Sequence, residues 1–314
     1  PASMTNKFMQ EAIQEGNCTY IKELLNRGIL KETDCLHSMT CHAKGHDLNE
    51  ILPNGMTPLG FACQMGSSGV VNLLINQKYL DCTKKRNSVD PNSLDQKSMS
   101  PLHYAAQQGH TDVVHLLLKI GCLADVLDKD GMTPLHMAAM RGNPIIVKQL
   151  IDAKANVNIK TNDKISPLHT SASHGFLECT KILLKAGAKV DALDTSDRTP
   201  LHVAVYNCQH NVVPLLLKYK CKVNMEDIHG YTPICEAVWR KDLAMVKMLL
   251  EASAKITQSH HLLHFAVSHC GIELIRSLLS HGCLINLRDD QGNTPLILAC
   301  LTARLDVIKL FLTR

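Results

Sequence analysis

The chain has 314 residues, 45% hydrophobic and 20% charged, a composition that excludes a disordered polyelectrolyte, and no apolar run approaches the roughly 18 residues of a membrane span. The formal net charge is only +4 and the basic residues are scattered, with Lys84-Lys85-Arg86 the one run of three, so the basic stripe of a nucleic-acid groove is missing. Thirteen cysteines, an odd number in a long chain whose first seven residues lack a signal-peptide pattern, argue against a disulfide framework.

From the N-terminus, Phe8 to Gly16 followed by Ile21, Leu24 and Leu25 predicts two short helices separated by a glycine stop, an N-terminal cap over about residues 4–28. Residues 29–55 then hold an insertion of about 17 residues. A Ser/Thr-Pro-Leu type of tetrapeptide follows, starting at Thr57, Ser100, Thr133, Ser166, Thr199, Thr232 and Thr294, with four successive intervals of 33 residues between Ser100 and Thr232. The connection between Leu80 and Met99 is about ten residues longer than its equivalents. A degenerate copy, His261-Leu262-Leu263-His264, lies 29 residues after Thr232 and 33 before Thr294, so one connection has lost four residues while the register survives.

Each copy predicts the same two helices. The Ser/Thr is a good N-cap, and the proline after it suits the first helical position, where its missing N–H leaves nothing unbonded. In the copy at Thr133, Leu135, Ala138 and Ala139 make an apolar face, Gly142 ends the helix, and Ile146, Val147, Leu150 and Ile151 recur at helical spacing in a second. One such pair cannot bury its apolar faces alone, so neighbours must stack. The last copy stops at Arg314 in its second helix without the polar face of a terminal cap, and the expectation is that native sequence continues.

The segment Asp128-Lys129-Asp130-Gly131-Met132-Thr133-Pro134-Leu135-His136-Met137-Ala138-Ala139 closely resembles the ankyrin repeat, and the likeness covers nearly the whole chain. The resemblance implies an all-α ankyrin-repeat solenoid of about nine stacked helix-turn-helix repeats with β-hairpin-like finger loops, a single domain over residues 1–314. It also implies that His103, His136, His169, His202 and His264, all three residues after the capping position, hydrogen-bond the cap and loop backbone. Val157-Asn158, Val223-Asn224 and Ile285-Asn286 resemble ankyrin asparagines that undergo hydroxylation, although Asn156, Lys222 and Leu284 stand where an acidic residue is favoured.

Cysteines fall in repeat slots: Cys122, Cys221 and Cys283 after the second helix, Cys63 and Cys300 in the first, Cys208 and Cys270 where glycine usually stands. They read as small buried hydrophobes in a reducing compartment, cytoplasmic or nuclear. Cys35, His37, Cys41, His42 and His46, inside the first insertion, are ligand types suited to Zn²⁺, but they match no standard finger spacing, so no cofactor is expected. No GxSxG, Walker loop or HExxH is present, and catalysis is not expected.

The resemblance places the ligand-binding positions on a concave face, just before the cap and four, seven and eight residues after it. Carried over, they include Tyr104, Gln108, Met140, Arg141, His174, Arg198, Tyr206, Asn207, Tyr231, Glu236, Trp239, Arg240, Phe265 and His269. Aromatics gather there although they are 4% of the chain, and Tyr, Trp and Arg dominate binding hot spots. The expectation is a non-catalytic recognition module for a protein or peptide, acidic or bearing a free C-terminal carboxylate, with neither nucleic acid nor membrane insertion involved. Two uses compete: substrate receptor of a ubiquitin ligase, and scaffold or cytosolic arm of a signalling or channel protein.

Overall fold

The computed structural model describes residues 2–26, 49, 51–76, 78–80, 86–256 and 260–313. The chain divides by its internal packing into two compact units, Pro1–Asn162 and Asp163–Arg314.

Unit 1 contains α1 (Ala2–Gln14), α2 (Cys18–Asn26), α3 (Pro58–Met65), α4 (Ser68–Asn76), β1 (Lys78–Leu80), β2 (Arg86–Ser88), α5 (Pro101–Gln108), α6 (Thr111–Lys119), α7 (Pro134–Arg141) and α8 (Pro144–Asp152). First helices stack in the order α1, α3, α5, α7, and second helices in the order α2, α4, α6, α8. Strands β1 and β2 pair antiparallel, Tyr79 opposite Asn87, within the enlarged connection before α5.

Unit 2 contains α9 (Pro167–Ser173), α10 (Leu177–Lys185), α11 (Pro200–Tyr206), α12 (Val213–Lys218), α13 (Pro233–Trp239), α14 (Leu243–Glu251), α15 (Leu262–His269), α16 (Ile272–Ser280), α17 (Pro295–Leu301) and α18 (Leu305–Leu312). Its first helices α9, α11, α13, α15 and α17 stack in sequence. The apolar residue after the Pro anchors the stack in six repeats: Leu59, Leu102, Leu135, Leu168, Leu201 and Ile234 have no exposed surface or almost none, while Leu296 of the last repeat is half-buried. Each such burial stabilises by roughly 1.5–3 kcal/mol.

The caps form as their residues dictate. The seven Ser/Thr N-caps share extended backbone, φ between −74° and −101° and ψ between 152° and 166°. At Thr199 the backbone N–H and the hydroxyl both meet His202 Nδ1, at 3.1 and 2.9 Å, and His202 Nε2 lies 3.2 Å from the Tyr231 carbonyl. An amide N–H can only donate and a carbonyl only accept, so the ring is the neutral tautomer with its proton on Nε2. His103 is bonded in the same way, to Ser100 and Met132.

His264 departs from the expected role. Its Nε2 reaches the Asn293 carbonyl at 3.0 Å, but residue 261 is a histidine with φ 45° and ψ 39°, which caps nothing with its side chain. The Nδ1 atoms of His261 and His264 are therefore both buried without a hydrogen-bond partner among the described residues.

The finger loops are hairpin-like in their bonding. Asp128 donates its N–H to the Met132 carbonyl, while its carboxylate Oδ1 accepts from the N–H groups of Asp130 and Met132. Asp95, Asp194, Asp227 and Asp289 repeat the pattern, each clamping the residue just before a cap.

A second ladder escaped the sequence reading: Asn92, Asp125, Asp191 and Asn224 each accept, through a side-chain oxygen, the backbone N–H of the residue 31 positions on. Asn224 also donates its amide to the Ser253 carbonyl at 3.3 Å. One of the finger asparagines thus ties two repeats together.

Cys63, Cys122, Cys221 and Cys270 are buried as expected, but Cys208 and Cys300 are exposed. Cys208 has φ 54°, the left-handed conformation of the glycine it replaces, and that geometry turns it outward. In the last repeat Leu301, Leu305 and Leu312 are about 70% exposed. The Cys35, His37, Cys41, His42 and His46 cluster lies outside the described residues.

Candidate functional site

In unit 2 the residues before the caps and along the first helices form a connected surface. Its position is set by backbone bonds: the Tyr231 N–H is held by Asp227 Oδ1 at 2.9 Å and its carbonyl faces His202 Nε2. The Tyr231 ring is therefore aimed by residues of two repeats. It meets the edge of Trp239, the last residue of α13, with centroids 4.7 Å apart and planes at 90°, and the His260 ring at 4.9 Å and 69°. His260 is fixed in turn through Nε2, 2.7 Å from the Gly230 carbonyl. Tyr231, Trp239 and His260 are each half-buried, so the cluster is braced from beneath and open above.

Next to Trp239, the Arg240 guanidinium lies 4.1 Å from the centre of the Tyr206 ring, and its Nε donates to Glu236 Oε1 at 2.7 Å. Tyr206 is 48% exposed, which leaves its outer edge available. Phe265 and His269 stack on each other one repeat further, with centroids 4.5 Å apart. His174 stacks on Phe176, a partner outside the expected set. Asn207 bridges to Ser173 Oγ at 3.0 Å, joining two first helices.

Arg198 differs from the expectation of an available cation. Its Nε and Nη2 both meet Oδ2 of Asp194, at 3.0 and 2.9 Å, and Asp194 is buried as the clamp of its finger. A buried carboxylate needs that partner, so Arg198 is a structural counter-ion.

Unit 1 holds the remaining positions. Tyr104 is a correction: it is 5% exposed, and its hydroxyl donates to the buried Asp95 carboxylate, so it braces a finger from inside instead of facing a ligand. Burial, and after it Asp95, push its phenol well above the ordinary tyrosine range. Gln108 is half-buried, while Met140 and Arg141 stand exposed at the end of α7. Among the described residues no hydrogen bond or ring contact joins these three.

The thiols of unit 1 and unit 2 that face the core are unreactive by environment. Burial pushes Cys122 and Cys221 up to about 12 and Cys283 up to about 11, so each stays a protonated thiol. Among the described residues no three His, Cys, Asp or Glu side chains converge to hold a metal ion. No described helix is long and apolar enough to cross a membrane.

The family described as ankyrin repeats (3 copies) matches residues 4–126, 79–163, 135–227, 191–260 and 236–314. The chain belongs to the ankyrin-repeat family. The solved ankyrin repeat domain of Bcl-3, described as a unique member of the IkappaB protein family, is 28% identical, over 68% of this chain and all of that one, with a TM-score of 0.61. No curated protein sequence matches. Because 553 solved chains resemble this one, the ankyrin scaffold itself names no ligand, and the surface residues must select it. Ankyrin repeats are protein-interaction modules.

Proposed function

We propose that this ankyrin-repeat chain is a non-catalytic recognition module that binds a segment of a partner protein on the first-helix face of unit 2. The observation that carries the reading is the bracing of the chain's single tryptophan: Trp239 stands half-exposed, edge-on to Tyr231 at 4.7 Å, beside an arginine stacked on Tyr206. Rigid aromatics with one open side contribute contact area while losing little conformational freedom on binding. The histidines beside them are each held by a backbone carbonyl or a neighbouring ring, so the surface is largely formed before a ligand arrives.

The proposal is confined to recognition, which substrate receptor and scaffold both require. It includes a reducing compartment, cytosol or nucleus, an assignment supported by the described cysteines, which are all free thiols. The test is affinity capture with the wild-type chain beside a Tyr231/Trp239/Arg240 triple-alanine variant, followed by titration of any partner the variant loses. Trp239→Ala alone should weaken that partner by about 2 kcal/mol or more, roughly 30-fold. A partner that binds Trp239→Ala as tightly as wild type would exclude this face.

A further inference from the structure

Arg240 is held differently from Arg198 and Arg304, and it differs from Arg276, which meets Glu273 through Nε at 3.6 Å, in having an aromatic ring under one face. Arg198 meets its carboxylate through Nε and Nη2. Arg304 is engaged on every nitrogen, with Nη1 on the Val267 and Cys270 carbonyls and Nε and Nη2 on Asp306. Arg240, in contrast, is gripped only by its inner edge, Nε to Glu236, and by one face, against Tyr206. Neither of its Nη groups has a hydrogen-bond partner among the described residues. A guanidinium carries five N–H donors in a fixed plane, so fixing Nε and one face fixes where the remaining Nη donors point.

From this geometry we infer that the Nη edge of Arg240 is a pre-oriented receptor for one carboxylate of the partner segment, an acidic side chain or a C-terminus, with Trp239 and Tyr231 taking an adjacent apolar residue. The inference rests on the proposed binding face and names the chemistry it recognises. Glu236 is a positioning residue: it holds Nε and thereby orders the side chain before binding. Ordering in advance matters because an arginine otherwise loses much rotamer freedom when a ligand immobilises it. Two coplanar N–H donors match the two oxygens of a carboxylate.

The surroundings favour a monoanion over a phosphoryl group. Phosphate recognition draws on clusters of arginines. Here Arg198 is already neutralised by buried Asp194, and Glu236 stands directly behind Arg240. A dianion would meet a guanidinium backed at once by the Glu236 carboxylate, whereas a carboxylate completes a carboxylate–guanidinium–carboxylate row.

The experiment uses the full chain and a displayed library of random 12-residue peptides, one half with free C-termini and one half amidated. Peptides enriched by the wild type are resynthesised with each Asp or Glu changed to its amide, with the C-terminus amidated, and with a phosphoserine replacing the acidic residue. They are titrated against wild type, Trp239→Ala, Arg240→Lys and Glu236→Gln. The last keeps an oxygen acceptor for Nε. Thermal melts equal to wild type establish that each variant is folded; if Arg240→Lys melts lower, Arg240→Gln replaces it in the cycle.

The expected result is that neutralising one carboxylate weakens binding to wild type about tenfold, but to Arg240→Lys less than about twofold, because lysine keeps the charge and loses the paired donors. Whether the side-chain or the C-terminal arm responds identifies the source of the carboxylate. Peptides that depend on Trp239 but ignore every carboxylate change would overturn this inference and leave the binding face standing. Preference for phosphoserine would overturn it too. Peptides insensitive to both Trp239→Ala and Arg240→Lys, or no enrichment at all, would overturn the inference together with the face.

Discussion

The helix α15 offers a direct test of the capping argument, because its N-cap position alone among the repeats of unit 2 carries His261 in place of Ser or Thr. His261→Thr should let residue 261 leave φ 45° for the extended conformation of Thr199, whose hydroxyl and N–H both engage the histidine three residues on. The cap itself contributes about 1 kcal/mol. Giving the buried His264 Nδ1 its missing partner contributes about 1 kcal/mol more. The sum, about 2 kcal/mol, corresponds to a rise of roughly 4–8 °C in Tm at about 2–4 °C per kcal/mol for a unit of this size. Chemical and thermal unfolding followed by circular dichroism would measure it. Thr199→Ala serves as the mirror experiment and should lose about 1 kcal/mol. If Thr199→Ala falls as expected while His261→Thr shows no gain, residue 261 is held in its left-handed conformation by its neighbours, and the capping reasoning does not transfer between repeats.

Three further outcomes follow from named contacts. Burial, the largest influence, holds His103 and His202 below the ordinary histidine value of 6.5, against the opposing effect of their carbonyl partners and nearby carboxylates. The unfolded chain therefore takes up these protons first, so stability is full above about pH 6.5 and declines as pH falls from there toward each folded value; a denaturant midpoint that is flat between pH 7 and 5 would contradict this. Tyr104→Phe removes the hydroxyl that donates to the buried Asp95 carboxylate and should destabilise unit 1 by about 1–3 kcal/mol, read as a lower unfolding midpoint. Asn224→Ala deletes the acceptor 2.7 Å from the Lys255 N–H, and hydrogen exchange at that amide should accelerate, with a loss of about 1 kcal/mol in stability.

The repeat was legible because period, cap and proline are local signals. Seven Ser/Thr-Pro pairs give seven extended N-caps, and His103 and His202 take the bonded role that the ankyrin resemblance implies. Legibility failed where a residue's environment comes from outside its own helix. Tyr104 and Tyr206 stand four and seven residues after their caps, both positions expected to face a ligand, yet the first turns inward to Asp95 and the second lies open beneath Arg240. The Asn92, Asp125, Asp191 and Asn224 ladder has a period that could have been found, since these residues recur at multiples of 33, but its purpose depends on an amide 31 residues away.

By itself the sequence determined the two-helix unit, its stacking order and its family, because capping and apolar periodicity act over a few residues and copies of one unit can bury their faces only against each other. Tertiary structure decided which polar groups are already satisfied. Arg198 and Arg240 look equivalent as letters, but one neutralises the buried Asp194 while the other keeps its Nη donors open. Charge availability is a property of distances between repeats, and only packing sets those distances.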